Sequence, residues 1–162
     1  MDKVIIKELN KSDLSLAAEV IRAGFSTVAI EFGLTEQNCP NHTSFITTDR
    51  IQNHFNLGWP MYGLYQDKKL VGYVALLKES GGIYELHNLA VLPEYRHKGY
   101  GKQLLDYCKS RVKEQGGNKI AIGIIEENTI LKYWYATNGF VHTGIKKFAH
   151  LPFAAGYMEW EW

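Results

Sequence analysis

The sequence predicts an α/β (α+β) domain: a mixed, mostly antiparallel sheet flanked by helices. Three observations carry this. Short period-two or β-branched runs recur at 4–9, 61–66, 70–77, 83–92 and 119–125. Apolar residues at helical spacing interrupt them, first within 14–21 and again within 104–112. Glycine pairs punctuate the pattern, Gly81-Gly82 between two strands and Gly116-Gly117 between a helix and a strand. At 162 residues, 46% hydrophobic and 22% charged, the chain can bury an ordinary core as one domain, 1–162.

Along the chain, Val4, Ile6 and Glu8 alternate with Ile5, Lys7 and Leu9 as a first strand. Ser12 or Asp13 can cap a helix whose stripe is Leu14, Leu16, Ala17, Val20 and Ile21, with Gly24 as its expected stop. Residues 25–43 read as irregular, and a connection of that length suggests function. A weaker helix follows at 47–57. Strands at 61–66 and 70–77 flank a turn at Asp67-Lys68-Lys69, and 83–92 closes at Pro93. With the first strand they make a meander. Residues 99–115 are helical, with Leu104, Leu105, Cys108 and Val112 inward and Gly116-Gly117 ending the helix. A buried strand at 119–125, a short helix at 128–138 stopped by Gly139, and a closing hairpin, 140–147 with 156–162, complete the order.

Composition excludes several roles. Eighteen Lys and Arg against seventeen Asp and Glu leave a net charge of +1, so nucleic acid is a poor partner. No apolar run approaches the roughly 20 residues that span a bilayer. The first ten residues lack the apolar core of a secretion signal. Cys39 and Cys108 are too few for a disulfide framework or zinc site, and a reduced cytoplasm is the expected location. His42, His54, His97, His142 and His150 form no metal-ligand pattern, so no metal is expected. Cys108 reads as core, and Cys39, on a loop, as open to solvent.

The chemistry sits in Arg96-His97-Lys98-Gly99-Tyr100-Gly101-Lys102. The run follows a strand and a proline and opens an amphipathic helix. A helix start leaves about four N–H groups unpartnered and carries roughly half a positive charge. Two glycines let backbone approach a ligand. The result is a cradle for phosphate or pyrophosphate. A dinucleotide fingerprint needs glycine at 104, which is Leu104. A Walker A loop needs glycine at 96 and Ser or Thr after Lys102, where Arg96 and Gln103 stand. The third reading is R-x-x-G-x-G.

In that pattern the chain resembles the GNAT superfamily of acetyl-CoA-dependent N-acetyltransferases. The resemblance covers the strand from Tyr84 to Pro93, the loop and its helix, then Glu127-Asn128 and Tyr135-Ala136-Thr137-Asn138-Gly139-Phe140. The first sixty residues share only a coarse β-α-α layout. The resemblance implies the GNAT fold, with splayed strands around an acetyl-CoA site. It implies pyrophosphate held by the amides from Arg96 to Lys102, with added charge from Arg96 and Lys98. The freed backbone of Leu89-Ala90-Val91 would pair with the pantetheine arm, Leu89 N–H facing the thioester carbonyl as a fixed donor where charge develops. A bulge would shift that register by one. Asn128 matches a cofactor contact, and equally an ordinary helix cap. Tyr135 matches the tyrosine beside the coenzyme A sulfur, placed to protonate the leaving thiolate.

An ammonium acceptor must lose a proton before it attacks. Glu85, eleven residues before Arg96, is the candidate base, and His87 on the same face is the alternative. The expected reaction moves an acetyl group directly to a primary amine of a small molecule or peptide. In the resembled family the acceptor pocket comes from the segment after the first strand and from the late loops. Here these hold Phe25, Glu31, Phe32, Phe153 and Tyr157, with His87 beside them. The rival reading is a non-enzymatic acyl-CoA sensor, which needs the cradle but neither Glu85 nor Tyr135. The aromatic closing strand could form an edge, to which a second copy of the chain could pair.

Overall fold

The computed structural model describes residues 2–162. Strands β1 (Val4–Glu8), β2 (Met61–Gln66), β3 (Lys69–Lys78) and β4 (Ile83–Val91) form the antiparallel meander. β5 (Lys119–Ile125) joins β4 in parallel. β7 (Ala154–Glu161) inserts between β5 and the edge strand β6 (Val141–Lys147), so the seven-stranded order is β1-β2-β3-β4-β5-β7-β6. Asp67 and Lys68, both at positive φ, make the two-residue turn between β2 and β3.

Helices α1 (Leu14–Glu31) and α2 (Thr48–Asn56) cover one face. There Ala17, Ala18, Ile21 and Ile51 pack on Met61, Tyr73, Ala75 and Ala90. Helix α3 (Tyr100–Glu114) covers the other face, where Leu104, Leu105, Cys108 and Val112 pack on Leu64, Val71, Val74 and Leu86. Tyr135 of α4 (Thr129–Thr137) belongs to the same core. No helix among the described residues is long and apolar enough to cross a membrane.

The first helix corrects the expectation. It does not stop at Gly24 but continues to Glu31, so the connection begins only at Phe32. Gly24 is there for proximity: a Cβ would lie 2.9 Å from the Ala90 Cβ and 3.3 Å from the Val91 carbonyl oxygen. Glycine lets α1 lie directly on β4, and tertiary contact outweighs its poor helix propensity. The last strand also starts earlier, at Ala154 rather than Gly156.

Candidate active site

β4 leaves its neighbour partway along. Its pairing with β5 stops at Glu85 opposite Ala121, while β5 stays paired with β7 as far as Ile125. Past that fork one edge of β4 faces a gap. Asn88 sits at φ 56°, and the register against β3 steps between Tyr73 and Ala75. This bulge reverses the alternation. Glu85 and His87 project toward α1 and α2, whereas Leu89 and Val91 pack into the α3-side core. Leu92 N–H donates to the Val71 carbonyl at 2.9 Å. By alternation the Leu89 and Val91 N–H groups point into the gap.

The loop after β4 presents a row of free main-chain donors. A 3-10 turn at Pro93–Tyr95 leads into His97 at φ 64° and Gly99 at φ 78°, the left-handed residue that starts α3. Among the described residues, no main-chain carbonyl accepts from the N–H groups of 97–102. Gly99 supplies the left-handed turn. Gly101 has a second use, since a Cβ there would meet the Trp134 ring at 3.4 Å. The Arg96 side chain departs from expectation. It reaches back to α1, donating to the Gly24 carbonyl at 2.7 Å and to Thr27 Oγ1 at 3.2 Å. It therefore anchors the loop rather than lining it. Lys98 lies 4.0 Å from Asp2, and Lys102 pairs with Asp106 at 2.6 Å. The Tyr100 hydroxyl bonds Gln66, tying the start of α3 to the end of β2.

Tyr135 is buried on the α3 side, edge-on to Phe140 at 5.3 Å. Burial, then the nearby Cys108, pushes its phenol well above the ordinary range, so it stays protonated. Asn128 caps α4, its Oδ1 accepting from Leu131 N–H at 3.2 Å. Cys39 is buried at 3% exposure, against the expectation of an exposed thiol, and burial raises its pKa.

Glu85 and His87 meet, with Oε2 and Nε2 3.1 Å apart. Two residues the sequence reading missed stand behind them. Trp59 packs on His87 at 4.8 Å between centroids, and His54 stacks on Trp59 at 3.9 Å and 9°. Desolvation, then Arg50 and His87, lowers the His54 pKa. No spacing in the sequence links 54, 59, 85 and 87; they converge because α2 and the segment after it fold over β4.

The acceptor-side residues are only partly brought together. Phe32 and Phe153 share a small cluster with Ala29, Leu34, Cys39 and Ile125. Beside it the α1–α2 connection and the β6–β7 loop enclose about 350 Å³, lined by residues including Pro40, His42, Thr43, His150, Leu151 and Phe153. Phe25 packs edge-on to His42 at 6.0 Å. Glu31 is exposed at the end of α1. Tyr157 is exposed over Gly123, away from that cluster. Glu126, at the end of β5, bonds Lys132 of α4 and His142 of β6, and these bonds hold its pKa down.

Comparison with known proteins agrees with this architecture. A profile of the Acetyltransferase (GNAT) family matches residues 30–140. An uncharacterized N-acetyltransferase of Bacillus velezensis is 41% identical over 61 residues, which are 32% of this chain and 38% of that protein. The chain thus aligns with well under half the length of that relative. The spermidine N(1)-acetyltransferase of Thermoplasma acidophilum is 28% identical over 83% of this chain and 86% of its own. The crystal structure of PaiA N-acetyltransferase from the same organism, in complex with coenzyme A, superposes with a TM-score of 0.75 at 23% identity, covering 99% of both chains. The forked sheet, the bulged strand and the glycine-bearing loop are those of a GNAT fold, and the chain belongs to the acetyltransferase (GNAT) family.

Proposed function

We propose that this chain is an acetyl-CoA-dependent N-acetyltransferase acting on a primary amine through a ternary complex. The observation that carries the reading is the row of unpartnered amides at 97–102, following directly on the splayed end of β4. Those donors suit a diphosphate. The Leu89 and Val91 N–H groups suit an extended amide-bearing arm laid in the gap. Acetyl-CoA, when bound, would supply the acetyl thioester. The Leu89 N–H is the fixed donor for the carbonyl oxygen as charge develops there. Tyr135, kept protonated by burial, would donate its phenolic proton to the departing sulfur and regain one from the nitrogen that has bonded to the acetyl carbon. The Glu85–His87 pair takes a proton from the acceptor ammonium. In balance, one C–S bond breaks, one C–N bond forms and one proton is released.

The acceptor is a primary amine of a small molecule or of a peptide. A reduced cytoplasm suits the two unpaired cysteines.

The test is acetyl-CoA titration followed by an amine panel read by released thiol. Turnover on a primary amine supports the reading. Binding without turnover on a wide panel leaves a sensor module instead. A chain that does not bind acetyl-CoA at the 97–102 turn overturns it.

A further inference from the structure

We propose that His87 Nδ1 is the atom that receives the acceptor's proton, and that Glu85 and Trp59 are positioning residues acting through it. This rests on the acetyltransferase reading and assigns the roles within it.

The geometry carries the assignment. Glu85 is the last residue of β4 paired with β5, so the pair stands at the fork. A carboxylate only accepts hydrogen bonds. At 3.1 Å from Glu85 Oε2, Nε2 is therefore the protonated nitrogen of the neutral imidazole. That leaves the Nδ1 lone pair unused, and no side chain or carbonyl among the described residues bonds it. The His87 side chain is 32% exposed, so an acceptor can reach it. As a class, imidazoles titrate closer to amines than carboxylates do, which makes removal of an ammonium proton less uphill.

The ring's orientation is set from behind. Trp59 lies against one face at 4.8 Å, and His54 stacks on Trp59 at 3.9 Å. The tryptophan backbone is pinned, with Trp59 N–H donating to the His54 carbonyl at 3.2 Å. Pro60 next to it accepts from Leu76 N–H of β3 at 3.0 Å. When the proton arrives, the Glu85 carboxylate and the Trp59 π face both stabilise the imidazolium. Burial, then Arg50 and His87, disfavours a proton on His54, which works against a second cation on the column.

Charged groups stand on the elements around the pair. α2 carries Asp49, Arg50 and His54. From α1, Arg22 is bonded to the Ile46 carbonyl at 2.9 Å. β3 places Ala75 and Leu77 opposite. On β5, Ala121 is opposite Glu85, and Lys119 is paired with Glu159 and Glu161 of β7 at 2.8 and 3.1 Å.

The experiment has two arms. In the first, kinetics are compared on an amine that the wild-type chain acetylates, with acetyl-CoA binding as the check on folding. His87→Ala should lose about 100-fold or more in kcat and regain activity with added imidazole. Glu85→Gln should lose less and gain nothing from imidazole. Trp59→Leu should lower kcat by about 10-fold with KM for acetyl-CoA unchanged, and Trp59→Phe should restore it. In the second arm, nitrogen-15 NMR of the unliganded wild-type protein reads the His87 tautomer, expected as Nε2–H. A Nδ1–H tautomer overturns the assignment. So does a His87→Ala variant with full activity, or one that imidazole fails to rescue while a small carboxylate rescues Glu85→Ala. Wild-type protein that binds acetyl-CoA yet acetylates no amine sinks the transferase reading instead, whatever the tautomer.

Discussion

Tyr135 shows how the surroundings of a side chain fix its protonation state. Its phenol is buried among Phe140, Trp134 and Cys108, and that burial favours the neutral form. Tyr135→Phe keeps the packing and removes the proton. We expect kcat to fall about 100-fold with acetyl-CoA affinity retained, measured by single-turnover kinetics and titration. A kcat within a factor of two of wild type would assign thiolate protonation elsewhere. Glu126 shows a structural use of charge. Its depressed pKa means that its contribution to stability is complete above the unfolded carboxylate value and is lost as pH falls through the folded one. Glu126→Gln should lower the melting temperature at pH 7 and narrow its gap to wild type by pH 3. An unchanged gap across that window would show that Lys132 and His142 do not couple to the carboxylate.

At the scale of elements, α1 and the loop before α3 depend on each other through Gly24. The glycine lets α1 touch β4, and its carbonyl receives Arg96. Gly24→Leu should destabilise the fold by about 1–3 kcal/mol through overpacking and weaken acetyl-CoA binding by moving the Arg96 anchor. Denaturant unfolding and cofactor titration read the two effects separately. Gly99→Ala tests the loop alone. Nothing lies within 4 Å of the added methyl group, so the left-handed φ of 78° is the whole penalty, about 1–2 kcal/mol. That variant should fold and bind acetyl-CoA less tightly. Equal affinity would show that the turn relaxes without cost.

For the molecule as a whole, burial of histidines sets its behaviour in acid. Desolvation holds the pKa values of His42 and His54 below the unfolded value of about 6.5. The unfolded chain therefore takes up protons first as pH falls below that value, and stability declines. The depressed carboxylate of Glu126 adds a second loss at lower pH, below about 4.5. Melting temperature against pH should show both declines, and His54→Gln should flatten the upper one. A flat profile between pH 7 and 5 would mean that these imidazoles protonate without cost in the folded state.

Local pattern determined much of this protein. Alternation placed the meander, the β-branched run placed β5, and the R-x-x-G-x-G spacing placed the glycine-bearing loop before α3, because each is decided by neighbours within a turn or a strand. Tertiary structure decided the rest. Gly24 reads as a helix stop until β4 lies against it, and Arg96 reads as a ligand-facing charge until α1 offers it a carbonyl. Trp59 and His54 carry no motif. They join His87 only because α2 and the segment after it fold over β4, a contact set by packing and long-range register.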